Sequence, residues 1–108
     1  MKVSELARLD KFEAISLPAP DREITGAYVC DLLSWVMGRA NEGDAWITIM
    51  SNINVIAVAT LADVSCIILA EGVKLDGEVL NTARDKGVNV LVCQLPAYEA
   101  ALRLGGVI

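Results

Sequence analysis

The sequence contains no histidine and only three cysteines, and this excludes most familiar sets of catalytic and metal-binding side chains. Without histidine the chain cannot build a Ser-His-Asp triad or a Cys-His pair. Cys30, Cys66 and Cys93 include no CxxC spacing, and three thiols cannot complete the four-ligand shell of a structural zinc. We therefore expect no metal site, and we interpret the cysteines as small apolar side chains of a cytoplasmic protein in a reducing environment.

The motifs that usually hold nucleotide phosphates are also absent. No GxxxxGKS/T P-loop occurs, and no GxGxxG follows a predicted strand. Carboxylates do lie close together in the sequence, for example Asp10 with Glu13 and Asp21 with Glu23, but such pairs are typical of the solvated surface of an acidic protein. We predict that the chain is not an enzyme, has no catalytic residue and carries no cofactor.

Positive charge is scarce: 9 Lys and Arg residues oppose 14 Asp and Glu residues, the net charge is −5, and no basic run exists. Basic side chains supply most nucleic-acid affinity, so we expect neither nucleic acid nor an anionic membrane surface as a partner. Charges within the first ten positions argue against a signal peptide. The uncharged stretch Ala45–Ala62 approaches the length of a membrane span, but Ser51, Asn52 and Asn54 divide it into a strand and a helix.

Hydrophobic residues make up 55% of the chain and aromatic residues only 5%, so the apolar content is mainly aliphatic. Such a composition is typical of parallel strands that helices cover on both faces. The second half of the sequence alternates strand-like and helix-like segments, which favours a parallel sheet with right-handed crossovers. The predicted strand and helix pairs are Ala45–Met50 with Asn54–Ala62, Cys66–Ala70 with Gly77–Lys86, and Val88–Cys93 with Ala97–Leu104.

The first half is less regular. Phe12–Ser16 and Ile24–Cys30 are predicted strands that join the sheet in an order the pattern does not define. Ser4 is the expected cap of a short helix over residues 5–9, and Asp31 the expected cap of a helix that runs to Met37 and ends at Gly38. The fold class is α/β: a compact layered sandwich with a mainly parallel central sheet and flanking helices.

Polar residues at the carboxyl ends of the predicted strands mark the place where a ligand would bind in such a sheet. They are Ser51, Asn52 and Asn54, then Glu71 and Gly72, and finally Gln94. The first group precedes a helix, so it could hold a nucleotide or another small anion. The alternative is that Asn52 or Asn54 only caps that helix.

Asp21, Arg22, Thr25 and Gly26 resemble the motif that names the DRTGG domain, although Glu23-Ile24 interrupts the literal string. The resemblance extends to "DREITGAYVCDLLSWVMGRANEGDAWIT", "NVIAVA" and "IILAEG", and it identifies residues 1–108 as a small, free-standing DRTGG-like domain. The family is similar to the N-terminal domain of HPr kinase/phosphorylase. It also occurs in some phosphotransacetylases and between CBS domains in certain pyrophosphatases.

The resemblance implies a compact α/β sandwich that serves as an accessory domain, often regulatory or oligomerising. In HPr kinase the catalytic P-loop lies in another domain, so a kinase name for a chain of this kind would be inherited from multidomain relatives. We therefore expect a non-catalytic regulatory or oligomerisation module. The alternative is a module that senses a nucleotide or another small anion at the carboxyl edge of the strands.

Structural roles are expected for the motif residues. Asp21 should accept backbone N–H bonds at the turn, and Arg22 should pair with a carboxylate or a carbonyl group. A side chain at Gly26 should meet a close neighbour. The alternative role for Arg22 is contact with an anion.

Self-association is the remaining expectation. The helix Val55–Ala62 is apolar nearly all round, so either the N-terminal segment or a second copy of the chain should cover it. We predict a homodimer whose interface contains this helix or the helix Asp31–Met37. Trp35 and Trp46 are candidate anchors, although a position in the core is the commoner one for a tryptophan. Another protein is a further candidate partner.

Overall fold

The computed structural model describes all 108 residues as five helices and five strands. The helices are α1 (Val3–Leu6), α2 (Leu33–Arg39), α3 (Asn54–Ala62), α4 (Gly77–Asp85) and α5 (Ala97–Gly105). The strands are β1 (Glu13–Ser16), β2 (Gly26–Val29), β3 (Asp44–Thr48), β4 (Cys66–Leu69) and β5 (Val90–Val92). No helix is long and apolar enough to cross a membrane.

The five strands form one sheet in the order β1-β5-β4-β3-β2. Strands β2 to β5 are parallel, and β1 lies antiparallel to β5. The predicted mainly parallel α/β sandwich is therefore confirmed. The two N-terminal strands, whose order the pattern left open, occupy opposite edges of the sheet.

Helices cover both faces of this sheet, and the strands alternate their side chains between two apolar layers. Trp46, Ile67 and Val90 point into the layer under α2, α3 and α4. Ile47, Ile68 and Leu91 point into the layer under α1 and α5. All six side chains are fully buried, which is why the central strands are almost continuously hydrophobic.

Two predicted helix caps are wrong. Ser4 lies inside α1, which begins after Lys2, and the backbone N–H of Lys2 donates to Oε1 of Glu5 at 2.8 Å. Asp31 does not cap α2, because its Oδ1 accepts bonds from the Thr48 hydroxyl at 2.8 Å and the Ile49 N–H at 3.0 Å. These tertiary contacts with the end of β3 replace the expected local bonds.

Two further details of the prediction differ. Gly38 lies within α2 and does not end it, because the helix continues to Arg39. The bounds of α3 agree with the prediction, but the N-terminal segment does not cover this helix because it packs on the opposite face of the sheet. Leu61 is 70% exposed and Ala57 is also exposed, so part of α3 faces solvent.

Candidate functional site

Arg22 binds the C-terminal end of helix α3 through two hydrogen bonds. The residue that caps the C-terminus of this helix is Asp63, whose left-handed backbone has a φ of 56°. Nη1 of Arg22 donates to Oδ1 of Asp63 at 2.8 Å, and Nη2 donates to the Asp63 carbonyl oxygen at 3.1 Å. The same carbonyl also accepts from the Gly43 N–H at 3.0 Å. A guanidinium group is favourable here because the last carbonyls of a helix carry partial negative charge. Arg22 thus contacts both a carboxylate and a carbonyl group.

Asp21 differs from its expected role. Its side chain is 86% exposed, and Oδ1 lies 3.7 Å from Nζ of Lys2. It accepts no hydrogen bond from the turn, so the expectation of backbone N–H bonds to Asp21 is wrong. The turn is held by other groups, because the Ala19 carbonyl accepts from the N–H of Arg22 at 3.3 Å.

Thr25 and Gly26 pack against the turn that begins β3. The N–H of Thr25 donates to the Gly43 carbonyl at 3.0 Å. A Cβ atom at position 26 would lie 2.7 Å from Oδ1 of Asp44, and one at position 43 would collide with the Thr25 hydroxyl. Asp44 is 5% exposed, and its Oδ2 accepts from the N–H of Asn41 at 2.8 Å. A residue without a Cβ atom is therefore required at position 26, because the Asp44 side chain lies so close.

A buried polar network holds the segment before the motif to the amino ends of β4 and β5. The Asn89 side chain donates to the carbonyls of Ala19 at 2.7 Å and Ser65 at 3.0 Å, and it accepts from the Ala19 N–H at 2.9 Å. The Ser65 hydroxyl donates to the Glu23 carbonyl. These contacts and those of Arg22 fix the motif segment against one end of the sheet, which is a structural role.

At the carboxyl end of the sheet, only some of the predicted ligand-binding residues come together. Oε1 of Gln94 lies 2.5 Å from where a Cβ of Gly72 would be, and both residues line a pocket of about 340 Å³. The pocket also contains Lys74, the one cation in its lining, and Glu13. Sequence reasoning missed Lys74 because no motif surrounds it.

The other predicted residues lie outside this pocket. Oδ1 of Asn52 accepts from the N–H of Asn54 at 2.9 Å, so its side chain orders the loop before α3. Ser51, Asn52 and Asn54 do not line the pocket with Gly72 and Gln94. Glu71 does not line it either, and it has a left-handed backbone with a φ of 61°.

The thiol of Cys66 is unsuited to nucleophilic chemistry. Cys66 is fully buried, and burial raises the pKa of its thiol from 9.0 to about 12, against a smaller lowering effect of the Arg22 charge. A neutral buried thiol is a poor nucleophile. No group of three or more Cys, Asp or Glu side chains comes together in a way that could hold a metal ion.

Comparison with known proteins identifies related domains. The sequence profile of the DRTGG domain matches residues 23–107, a range that includes Thr25-Gly26 and starts just after Asp21-Arg22. None of the curated proteins compared with the chain matches it.

A similar fold occurs in the crystal structure of the CBS and DRTGG domains of the regulatory region of Clostridium perfringens pyrophosphatase, complexed with its activator diadenosine tetraphosphate. The TM-score is 0.65 at 19% sequence identity, and the match covers 86% of this chain. The matched part is 40% of the pyrophosphatase fragment. At this identity the likeness concerns the fold.

Proposed function

The chain belongs to the DRTGG domain family, and from this assignment we propose that it is a non-catalytic regulatory module that acts by forming a homodimer and contacting another protein. The place of a DRTGG domain within the regulatory region of a pyrophosphatase supports this role. We also propose that residues 1–108 form a single domain, because both apolar layers pack on one sheet.

The observation that carries the dimer proposal is the apolar surface on and beside α2. Val36 is the only buried residue of this helix. Leu32 is 55% exposed, Trp35 is 48% exposed and Met37 is 45% exposed. Neighbouring exposed apolar residues of this kind mark interaction sites on small proteins.

The second tryptophan does not contribute to this surface. Trp46 is fully buried in β3, and its Nε1 donates to the Cys30 carbonyl at 2.8 Å. Of the two positions expected for a tryptophan, Trp46 therefore takes the one in the core and is not an interface anchor. On α3, the second predicted interface helix, Leu61 is the main exposed apolar side chain, so α2 is the stronger candidate.

Sedimentation equilibrium at micromolar concentration tests the proposal. We expect a species of twice the 11.5 kDa mass of the chain. Trp35→Ala should weaken association, whereas Leu17→Ala serves as a control because Leu17 is an exposed apolar residue that follows β1, at the opposite edge of the sheet. A single species of 11.5 kDa would contradict the dimer proposal.

The absence of catalysis has a separate test. The purified chain should not hydrolyse ATP or transfer its phosphate, because it has no P-loop and no histidine. Turnover of ATP that disappears in Arg22→Ala would contradict this part of the proposal.

A second candidate function is the sensing of a nucleotide or another small anion. Two observations favour it: the pyrophosphatase regulatory region binds diadenosine tetraphosphate, and Lys74 lines a pocket with Gly72 and Gln94 at the carboxyl edge of the sheet. Ser51, Asn52, Asn54 and Glu71 belong to neighbouring loops at this edge. A ligand that prefers one dimer arrangement would shift the population towards it.

A thermal-shift screen with nucleotides separates the two candidates. A ligand at 100 times its dissociation constant should stabilise the fold by roughly 2.7 kcal/mol. The shift should decrease in Lys74→Ala and persist in Lys86→Ala, because Lys86 lies outside this pocket. No shift with any nucleotide, or a shift unaffected by Lys74→Ala, would count against sensing at this site.

A further inference from the structure

We propose that two copies of the chain pair through the free edges of their β2 strands, antiparallel, so that two five-stranded sheets become one continuous ten-stranded sheet. This inference rests on the proposed homodimer and names the surface that forms it. It extends the predicted α2 interface to the strand that precedes this helix.

The outer edge of β2 has no partner within the chain. Strand β2 pairs only with β3, from Gly26 opposite Asp44 to Val29 opposite Ile47. Apart from this pairing, none of the four residues takes part in any hydrogen bond with another segment. The strand contains no charged residue and no proline. An edge of this kind is a template for another strand.

The opposite edge of the same sheet is protected. Strand β1 carries an irregularity in its register between Ala14 and Ser16. Nη2 of Arg84 donates to the Ile15 carbonyl at 3.1 Å, and Glu13 places a charge on the strand. Bulges and charged side chains are usual ways to prevent edge pairing. The contrast between the two edges selects β2 as the one that accepts a partner.

Exposed apolar side chains flank the free edge on both faces of the sheet. Leu32 and Trp35 lie on the α2 side, at 55% and 48% exposure. Helix α5 packs over β2 on the other face and carries Tyr98 and Leu102, at 75% and 62% exposure. Val29, at 49%, shares this face because Tyr28 points towards the α2 layer.

A second copy of the chain fits this surface because the strand is self-complementary. Antiparallel pairing places a two-fold axis perpendicular to the sheet, so that α2 meets α2 of the partner and α5 meets α5. No like charges oppose each other within the paired strands. The five flanking side chains offer about 500 Å² per copy, or about 1,000 Å² over two copies, which is most of the roughly 1,200 Å² at which stable interfaces begin.

Val29→Lys tests the edge directly, and Leu61→Lys is the matched control. Both replace an exposed aliphatic residue with lysine, but Leu61 lies on α3, away from the β2 edge. In sedimentation equilibrium, Val29→Lys should raise the dimer dissociation constant about tenfold or more, because a lysine on an edge strand opposes pairing with another strand. Leu61→Lys should change it by less than about threefold.

Amide hydrogen exchange of the wild-type chain tests the same idea without a substitution. If β2 pairs with its copy, exchange at Ala27 and Val29, whose N–H groups point away from β3, should slow as the protein concentration rises through the dissociation constant. A dimer that Val29→Lys leaves intact, with exchange at β2 independent of concentration, would overturn the edge proposal and leave the dimer itself standing. A wild-type chain that stays monomeric would overturn both.

Discussion

Replacing Arg22 with alanine should destabilise the fold by about 1–2 kcal/mol. Two contacts disappear, the 2.8 Å ion pair with the Asp63 carboxylate and the 3.1 Å hydrogen bond to the Asp63 carbonyl. The side chains of the pair are 33% and 54% exposed, so solvent screening limits the ion pair to about 0.5 kcal/mol. The bond from the charged guanidinium group to the carbonyl at the end of α3 adds about 1 kcal/mol.

Three further variants separate these contributions. Arg22→Lys keeps the charge but not the two-pronged geometry, so it should recover less than half of the loss. Asp63→Asn removes the charge but keeps the carbonyl acceptor and tolerates the left-handed backbone, so it should cost only about 0.5 kcal/mol. The double variant Arg22→Ala/Asp63→Asn completes a double-mutant cycle that measures the coupling energy between the two side chains.

Urea unfolding at a fixed protein concentration measures these differences, because the proposed dimer would make the apparent stability depend on concentration. The midpoint of Arg22→Ala should fall with an unchanged m-value, and its melting temperature should drop by about 5–10 °C. A change below about 0.3 kcal/mol would refute the structural role of Arg22. The motif arginine would then be available for contact with an anion.

Two other predictions concern Gly26 and Cys66. Gly26→Ala should cost about 1–3 kcal/mol, because its Cβ would lie 2.7 Å from Asp44 Oδ1, whereas the control Gly38→Ala meets nothing within 4 Å and should stabilise α2 by about 0.5–1 kcal/mol. Equal effects of these two substitutions on the unfolding midpoint would contradict the close contact. Burial raises the pKa of the Cys66 thiol from 9.0 to about 12, so its contribution to stability is complete below pH 9 and is lost as the pH rises towards 12. Between those values the wild-type chain should lose about 1.4 kcal/mol per pH unit relative to Cys66→Ala in chemical denaturation, and parallel curves for the two proteins would exclude this titration.

The second half of the fold was predictable because its information is local. Each strand is a short aliphatic run and each helix follows it after a polar turn, so α3 has the predicted bounds Asn54–Ala62. The first half depends on distant contacts. Asp31 has the sequence context of a helix cap, but it bonds to Thr48, which lies 17 residues further along the chain. Trp46 is of a residue type common at interfaces, and only the order of the strands shows that it lies in an inner strand and is buried.

The candidate sites follow the same division. The need for a small residue at Gly26 could be predicted, because a glycine within a strand indicates a close neighbour. The neighbour itself, Asp44, could not, and neither could Asp63, which lies 41 residues from Arg22. The position of the carboxyl edge of the sheet was predictable from topology. Which residues line the pocket there, Lys74 and Gln94 but not Ser51, depends on loop conformation.

The pairing of β1 with β5 has a consequence for the order of folding. The Asn89 side chain accepts from the Ala19 N–H through Oδ1 and donates to the Ala19 carbonyl through Nδ2. Ala19 lies 70 residues earlier in the chain, next to the antiparallel β1–β5 ladder. Contacts of such long sequence separation form slowly, because a large loop must close before they contribute. During synthesis β1 also stays unpaired until β5 has left the ribosome, because β5 is its partner and is made last of the five strands. Completion of the sheet at β1 is expected to be the late event in folding of this domain.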